Sequence, residues 1–149
     1  MVEAIGDVSK AEGYVNKVLD DRGKIMGMGH RVYKAKDPRA VIIEKYLLEL
    51  SKRKGDTRYY DILKKVEETF RNRMEEKGKP IYPNVDFFSG AVYTLLGIPK
   101  ELFTPIFAMS RVSGWLAHIL EQREDNRLFR PRALYVGHEG RSFIPIDQR

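Results

Sequence analysis

A histidine at the end of a glycine-rich segment is the first feature that could do chemistry. Residues 26–30 read MGMGH, and the nine residues that follow, RVYKAKDPR, carry four basic side chains and one acidic one, a net charge of +3. Glycines let a backbone approach a ligand and leave N–H groups free to point at it. A neutral imidazole there can donate a hydrogen bond to a carbonyl oxygen. The loop predicts a site for a compact anion, and a solvated basic turn explains its composition equally well.

A carboxylate in the segment PNVDFFSG is the second candidate. Asp86 lies at a predicted helix start, where the usual role of an aspartate is to cap the helix, and spacing alone favours that role. The aromatic residues Phe87 and Phe88 follow it directly. They could remove water from the carboxylate and make it the stronger base that general base catalysis needs.

Three arginines stand in apolar or proline-bounded contexts: Arg39 in DPRAVII, Arg111 in FAMSRVSGW and Arg130 in LFRPR. We expect Arg111 to lie beside Trp115 on a helix, where burial without an anionic partner would be costly. Its partner is either a protein carboxylate or a ligand held by the guanidinium fork.

Length and composition restrict the class of protein. The chain has 149 residues, the size of one ordinary domain, and a net charge of +6 from 27 basic and 21 acidic side chains. The absence of cysteine excludes disulfides, thiolate zinc sites and a cysteine nucleophile. His118 and Glu121 have metal-like spacing but lack a third ligand, so we expect no metal. No signal peptide or membrane span is expected, which predicts a cytoplasmic protein.

The elements that must position these residues are helices, which the spacing of the apolar side chains predicts. A first helix is expected from a cap at Asp7 or Ser9 to about residue 21, and further helices are expected over residues 38–54, 57–77, 85–96 and 105–124. Core side chains on the last helix should be Phe107, Val112, Trp115, Leu116, Ile119 and Leu120. Residues 133–146 are expected as an extended pair or arm. No alternation of strands and helices is present, so the fold class is all-α with an extended C-terminal arm.

Five segments, taken in order, resemble citrate synthases, with 2-methylcitrate synthases as close paralogues. The segments are IGDVSKAEGYV, KIMGMGHRVYKAKDPRA, PNVDFFSGAVYTLLGIP, FTPIFAMSRVSGWLAHILEQ and RLFRPRALYVG. The resemblance covers almost the whole chain and is greatest to the bacterial and archaeal form of the family. It implies a citrate-synthase-like helical fold, with residues 1–104 as the small domain, residues 105–149 as the C-terminal segment of the large domain, and the N-terminal part of the large domain absent.

The resemblance also implies roles for single residues. His30 would hydrogen-bond the carbonyl of oxaloacetate, and Asp86 would take a proton from the methyl group of acetyl-CoA. Carboxylates of oxaloacetate would be held by Arg39, Arg111 and Arg130, the last reaching across a homodimer interface. Coenzyme A would be bound by Lys24, Ile25, Met26, Gly27, Arg31, Lys34 and Lys79. The resemblance implies no cofactor, because acetyl-CoA is a substrate. It also implies neither a nucleic acid nor a membrane as a partner.

Two histidines of the family pattern, one of which polarises the thioester carbonyl, belong to a segment before this chain begins. We therefore expect the isolated chain to be inactive. Propionyl-CoA replaces acetyl-CoA if the chain is a 2-methylcitrate synthase. Two other classes stay open on the residues alone: a basic helical module that binds nucleic acid, with Tyr33, Tyr59 and Tyr60 near basic side chains, and an interaction domain whose helix at Pro105 packs in a dimer.

Overall fold

The computed structural model describes residues 1–128, 130 and 132–149, and its regular structure is helical. The α-helices are α1 (Val2–Ile5), α2 (Ala11–Asp20), α3 (Pro38–Lys54), α4 (Arg58–Glu75), α5 (Val85–Leu95) and α6 (Phe103–Glu124). Over these residues there is no β-strand, only an isolated bridge between Met28 and Pro83. The all-α prediction is confirmed, and none of the described helices is long and apolar enough to cross a bilayer.

Helix ends follow the capping residues that the sequence predicts. The side chain of Asp37 accepts a hydrogen bond from the amide of Arg39 at the start of α3, Pro38 occupies the first turn, and Gly55 ends the helix in the left-handed conformation with φ 69°. An amide near a helix N-terminus has no partner within the helix, and a cap supplies one. These signals place α3 between the loop of His30 and α4.

The N-terminal ends of two helices differ from expectation. Asp7 caps a short 3₁₀ turn, Val8–Lys10, and α2 begins only after it. Helix α6 begins at Phe103, two residues before Pro105, and directly follows a second 3₁₀ turn, Lys100–Leu102. Proline is tolerated in a first helical turn, where its missing N–H would have no helical partner. Pro105 therefore lies inside α6 and does not mark its start.

The chain divides into two compact units, residues 1–110 and 111–149. The buried core belongs to the first. There α3 packs against α5, α2 packs against α4, and α4 also contacts α1, α3 and α5. The largest fully buried apolar side chains are Phe88, Leu47, Ile62, Leu63, Val15 and Val66. The assignment of these parts to a small and a large domain stays a prediction.

Helix α6 contains no buried residue. The prediction that its apolar face supplies core is wrong for the described chain, because all six predicted side chains are exposed, with Trp115 at 51% and Leu120 at 62%. Periodicity predicts which side chains share a face, and burial also needs an element that covers that face. The apolar residues of the C-terminal arm are exposed too, and the only regular segment there is the 3₁₀ turn Ile146–Gln148.

Candidate functional site

Three hydrogen bonds fix the glycine loop to the residues that precede α5. The amide of Gly29 donates to the carbonyl oxygen of Tyr82, and the amide of Asn84 donates to that of Gly27, each at 2.8 Å. The Asn84 side-chain nitrogen also donates to the carbonyl oxygen of Gly29 at 2.8 Å. Asn84 additionally caps α5. One residue, which the sequence did not single out, therefore orients both the loop and the helix that carries Asp86.

Gly27 allows the loop to pass against α5 at van der Waals distance. Its φ is +84°, and a Cβ placed there would lie 2.6 Å from the Cα of Phe87. Only glycine fits such a left-handed position against another backbone. The loop and the first turn of α5 are thus in direct contact, which brings the segments of His30 and Asp86 together.

The ring of His30 has a defined donor side. Its Nδ1 accepts hydrogen bonds from the backbone amides of Val32 at 3.0 Å and Tyr33 at 3.1 Å. An accepting Nδ1 carries no proton, so the neutral ring carries its proton on Nε2. Nε2 lies 3.5 Å from Nη2 of Arg39. Both atoms are donors in this tautomer. The N–H of Nε2 and one N–H of Nη2, whose other N–H donates to Asp37, are available to an acceptor such as a carbonyl or carboxylate oxygen.

Arg39 is held by a buried carboxylate. Asp37 is fully buried, and its two oxygens accept from Nε of Arg39 at 3.1 Å and Nη2 at 2.8 Å. The guanidinium hydrogen bond holds the pKa of Asp37 below its usual range and raises the pKa of Arg39. A guanidinium has five N–H donors, so about three remain for a ligand.

Asp86 is neither the cap of α5 nor desolvated. The cap is Asn84, whose side-chain oxygen accepts from the amide of Asp86 at 2.9 Å. Asp86 is exposed, whereas Phe87 and Phe88 are buried in the core. Adjacent residues of a helix point in different directions, which is why the two rings face away from the solvent side of α5. Of the two roles that the sequence left open for Asp86, the favoured cap belongs to Asn84, and the alternative, desolvation by these rings, is not present in the described chain.

His30 and Asp86 line one cleft of about 670 Å³ in the first unit. Five of the residues assigned to coenzyme A line it as well: Lys24, Ile25, Met26, Gly27 and Lys34. The other two, Arg31 and Lys79, are exposed and do not line it. Apolar side chains complete the wall, and the sequence reading missed them because they come from three separate segments: Leu19, Phe70, Met74 and Ile81.

The basic charge of the loop is smaller than its sequence indicates. Lys36 forms ion pairs with Glu44 at 2.6 Å and Glu67 at 2.7 Å, and Arg39 pairs with Asp37. No ion pair is formed by Arg31 or by the other assigned cations within the described chain: Lys24, Lys34 and Lys79. A bound polyanion would therefore contact these exposed cations. It would not be attracted by the full charge of +3 that residues 31–39 carry in the sequence.

The remaining candidates belong to the second unit. Arg111 and Arg130 are exposed, and Arg111 shares helix α6 with Trp115. His118 and Glu121 form an exposed pair at 3.4 Å. The residues that the structure describes contain no cluster of three or more side chains suited to a metal ion.

Comparison with known proteins identifies the family. A family model described as the citrate synthase C-terminal domain matches residues 1–132. The chain belongs to the citrate synthase family. The citrate synthase of Deinococcus radiodurans is 49% identical over 149 residues, which are 100% of this chain and 39% of that protein. The chain therefore spans about two fifths of the length of such relatives.

Two further family members bear on the ligands. The chain superposes with a TM-score of 0.82 on citrate synthase from Thermoplasma acidophilum, solved as a ternary complex with carboxymethyl coenzyme A and oxaloacetate. That structure is 41% identical in sequence, and the match covers 99% of this chain and 40% of that one. The 2-methylcitrate synthase 2 of Corynebacterium glutamicum is 42% identical over 146 residues, 98% of this chain and 37% of that protein.

Proposed function

We propose that this chain carries part of the active site of a citrate synthase, which condenses acetyl-CoA with oxaloacetate and water to give citrate and CoA. The observation that carries the proposal is the shared cleft: the donor His30, the carboxylate Asp86 and the glycine loop assigned to coenzyme A all line it. Membership of the citrate synthase family supports the same reaction.

In the proposed reaction, a carboxylate oxygen of Asp86 takes a proton from the methyl carbon of acetyl-CoA. The resulting enolate forms a carbon–carbon bond to the ketone carbon of oxaloacetate. Nε2–H of His30 donates a hydrogen bond to the ketone oxygen and stabilises the negative charge that develops there. The alkoxide takes up a proton from solvent to become the new hydroxyl, and Asp86 returns to solvent the proton that it removed. Water then hydrolyses the thioester and releases CoA. The described Nδ1 acceptor bonds support this role, because they hold the proton on Nε2.

We propose that Arg39, Arg111 and Arg130 bind the carboxylates of oxaloacetate, with Arg130 reaching the site of a neighbouring subunit in a cytoplasmic homodimer. The guanidinium of Arg39 supports its part, because its Nη2 lies beside the donor nitrogen of His30. A dicarboxylate and a ketone oxygen would then be bound at adjacent positions, which fixes the face of the ketone that the enolate attacks.

Titration with CoA tests the ligand assignment on this chain. We expect saturable binding that Lys34→Met weakens several-fold, because Lys34 lines the cleft and has a free ammonium. Lys54→Met is the matched control, since Lys54 is an exposed lysine at the end of α3, away from the lining residues. Binding of DNA with steep salt dependence, without CoA affinity, would support the nucleic-acid alternative instead.

Turnover tests the role of Asp86. In the complete enzyme that contains this chain, Asp86→Asn should lower kcat by about 10²-fold or more while oxaloacetate still binds, because only the base is lost. Unchanged turnover would refute the assignment. The purified 149-residue chain should lack activity comparable to that of an intact enzyme, and substantial activity would refute the expectation that other residues are needed.

The donor acyl group is a second question, raised by the similarity to a 2-methylcitrate synthase. The two reactions differ by one methylene in the acyl-CoA, and a hydrophobic pocket discriminates about 10–200-fold for such a difference. Comparing kcat/KM for acetyl-CoA and propionyl-CoA in the same complete enzyme separates them. We propose acetyl-CoA as the preferred donor, and a higher kcat/KM for propionyl-CoA would identify a 2-methylcitrate synthase.

A further inference from the structure

Four charged side chains next to the loop of His30 form a closed ring of ion pairs, the charge ring: Lys36, Glu44, Lys64 and Glu67. The ammonium of Lys36 lies 2.6 Å from Glu44 and 2.7 Å from Glu67. Lys64 lies 2.7 Å from each of the same two carboxylates. Every carboxylate oxygen of the ring is therefore within hydrogen-bond distance of one lysine, and each lysine joins both glutamates.

The ring ties the loop to two helices. Glu44 belongs to α3, Lys64 and Glu67 belong to α4, and Lys36 is the only member from the loop. The Lys36 ammonium also lies 5.2 Å from the centre of the buried Phe88 ring of α5. Lys36 thus connects the far end of the loop, six residues after His30, to the helical core.

The ring is charged and partly shielded from water. Glu67 exposes 10% of its side chain and Glu44 exposes 17%. Burial raises the pKa of Glu44, but the hydrogen bonds from Lys36 and Lys64 outweigh it and hold this pKa below its ordinary value. Two positive and two negative charges balance. Removing Lys36 alone would leave two close carboxylates with one cation, which is unfavourable in such surroundings.

We propose that Lys36 is a positioning residue for His30, fixing the loop through the ring so that the imidazole keeps its Nε2–H and its orientation. Lys36 touches no substrate in this proposal. It acts from one end of the loop, as the bonds between Asn84 and the glycines act from the other. Its meaning for catalysis rests on the proposed function, but the order of the loop is measurable without any ligand.

Hydrogen exchange and imidazole nitrogen shifts on the 149-residue chain test this role. Lys36→Met should accelerate exchange of the Val32 and Tyr33 amides, which donate to Nδ1 of His30, by about tenfold, since local opening governs exchange. The nitrogen shifts of His30 should move toward mixed tautomers. Lys65→Met is the matched control, because Lys65 is on the same α4 and bridges Glu12 and Glu68 without touching the loop.

A second variant separates loop order from overall stability. Lys36→Met combined with Glu67→Gln leaves one cation and one anion, Lys64 and Glu44. The charges therefore balance again, but the connection between the loop and the two helices is still missing. We expect unfolding free energy to recover toward the wild-type value while the loop amides still exchange fast. Wild-type exchange in both variants would overturn the proposal. So would acceleration that disappears in the double variant, because Lys36 would then act on stability alone.

Discussion

The loop of His30 and the exposed face of α6 are both open to solvent, yet they are organised in different ways. The loop has short polar connections at each end: Asn84 joins Gly29, and Lys36 joins the ring of charges. Helix α6 presents large apolar side chains, among them Trp115 and Leu120, without burying any. The loop is positioned by partners inside this chain.

The loop of His30 is fixed by contacts within this chain, whereas the apolar side chains of α6 stay exposed. Large exposed apolar patches mark sites of contact with other polypeptides, membranes or ligands. Curated relatives are longer than this chain, which covers 39% of the Deinococcus radiodurans protein. The internal bonds of the first unit, in contrast, define the geometry of His30 without any further segment. Paired substitutions test whether the two regions differ as described.

Truncating a leucine in each region should give the largest contrast. Leu47→Ala in α3 removes a fully buried side chain and should lower the free energy of unfolding by about 3 to 4 kcal/mol, through lost burial and a cavity. Leu120→Ala in α6 should change it by less than about 0.5 kcal/mol, because Leu120 is 62% exposed. Urea unfolding of the two variants measures both. Equal losses would show that α6 is covered in solution.

A glycine pair tests the close contact between the loop and α5. Gly27→Ala should cost about 2 to 3 kcal/mol, because the new Cβ would meet the Phe87 backbone at 2.6 Å in addition to the left-handed φ. Gly55→Ala has a similar φ of +69° with no atom within 4 Å, so it should cost roughly 1 kcal/mol. Thermal unfolding gives both values. Equal losses would mean that the loop can move off α5 freely.

Much of this fold was predictable because its signals are local. Helix α3 was predicted in full from Asp37, Pro38 and Gly55, and the start of α5 was predicted at its observed residue. Each of these predictions rests on one residue satisfying a backbone group a few positions away. The segment of Asp86 and the loop of His30 were singled out from residue types, and in the structure they line the same cleft.

The rest depends on which residues meet in space. From the sequence, Lys36 is one of the loop cations that a ligand could meet, but its partners Glu44 and Glu67 are 8 and 31 residues away. The sequence does not indicate the role of Asn84 in the loop, because its bond to Gly29 spans 55 residues. The exposure of Arg111 could not be predicted for the same reason: a helical pattern indicates a face but not what lies opposite. Roles assigned to single site residues by family resemblance stay predictions.

Two aspartate–arginine pairs with the same spacing isolate the effect of burial. Asp37→Asn removes a buried carboxylate that binds Arg39 and should cost about 1.5 kcal/mol at pH 7. Asp56→Asn is the control, because Asp56 and Arg58 form an exposed pair at 3.5 Å that is worth less than about 0.5 kcal/mol. Urea unfolding at neutral pH compares the two losses, which should be equal only if burial adds nothing.

The same pair predicts a pH dependence. The pKa of Asp37 is lowered in the folded protein by the guanidinium hydrogen bond, so its stabilisation is complete above the unfolded pKa of about 4. It is lost as the pH falls through the folded pKa. The difference in unfolding free energy between wild type and Asp37→Asn should therefore stay constant from about pH 7 to 5 and shrink below about pH 4. A constant difference at acidic pH would contradict this.

The smallest expected effects come from Asn84, whose two functions can be separated. Asn84→Ala removes both the cap of α5 and the bond to the carbonyl oxygen of Gly29, and should cost about 1 kcal/mol. Asn84→Asp keeps an oxygen for the Asp86 amide but has no donor for Gly29, so it should cost about half as much. Hydrogen exchange distinguishes the two losses, because the Asp86 amide should exchange faster only in Asn84→Ala. Faster exchange of that amide in both variants would mean that the loop bond itself supports the first turn of α5.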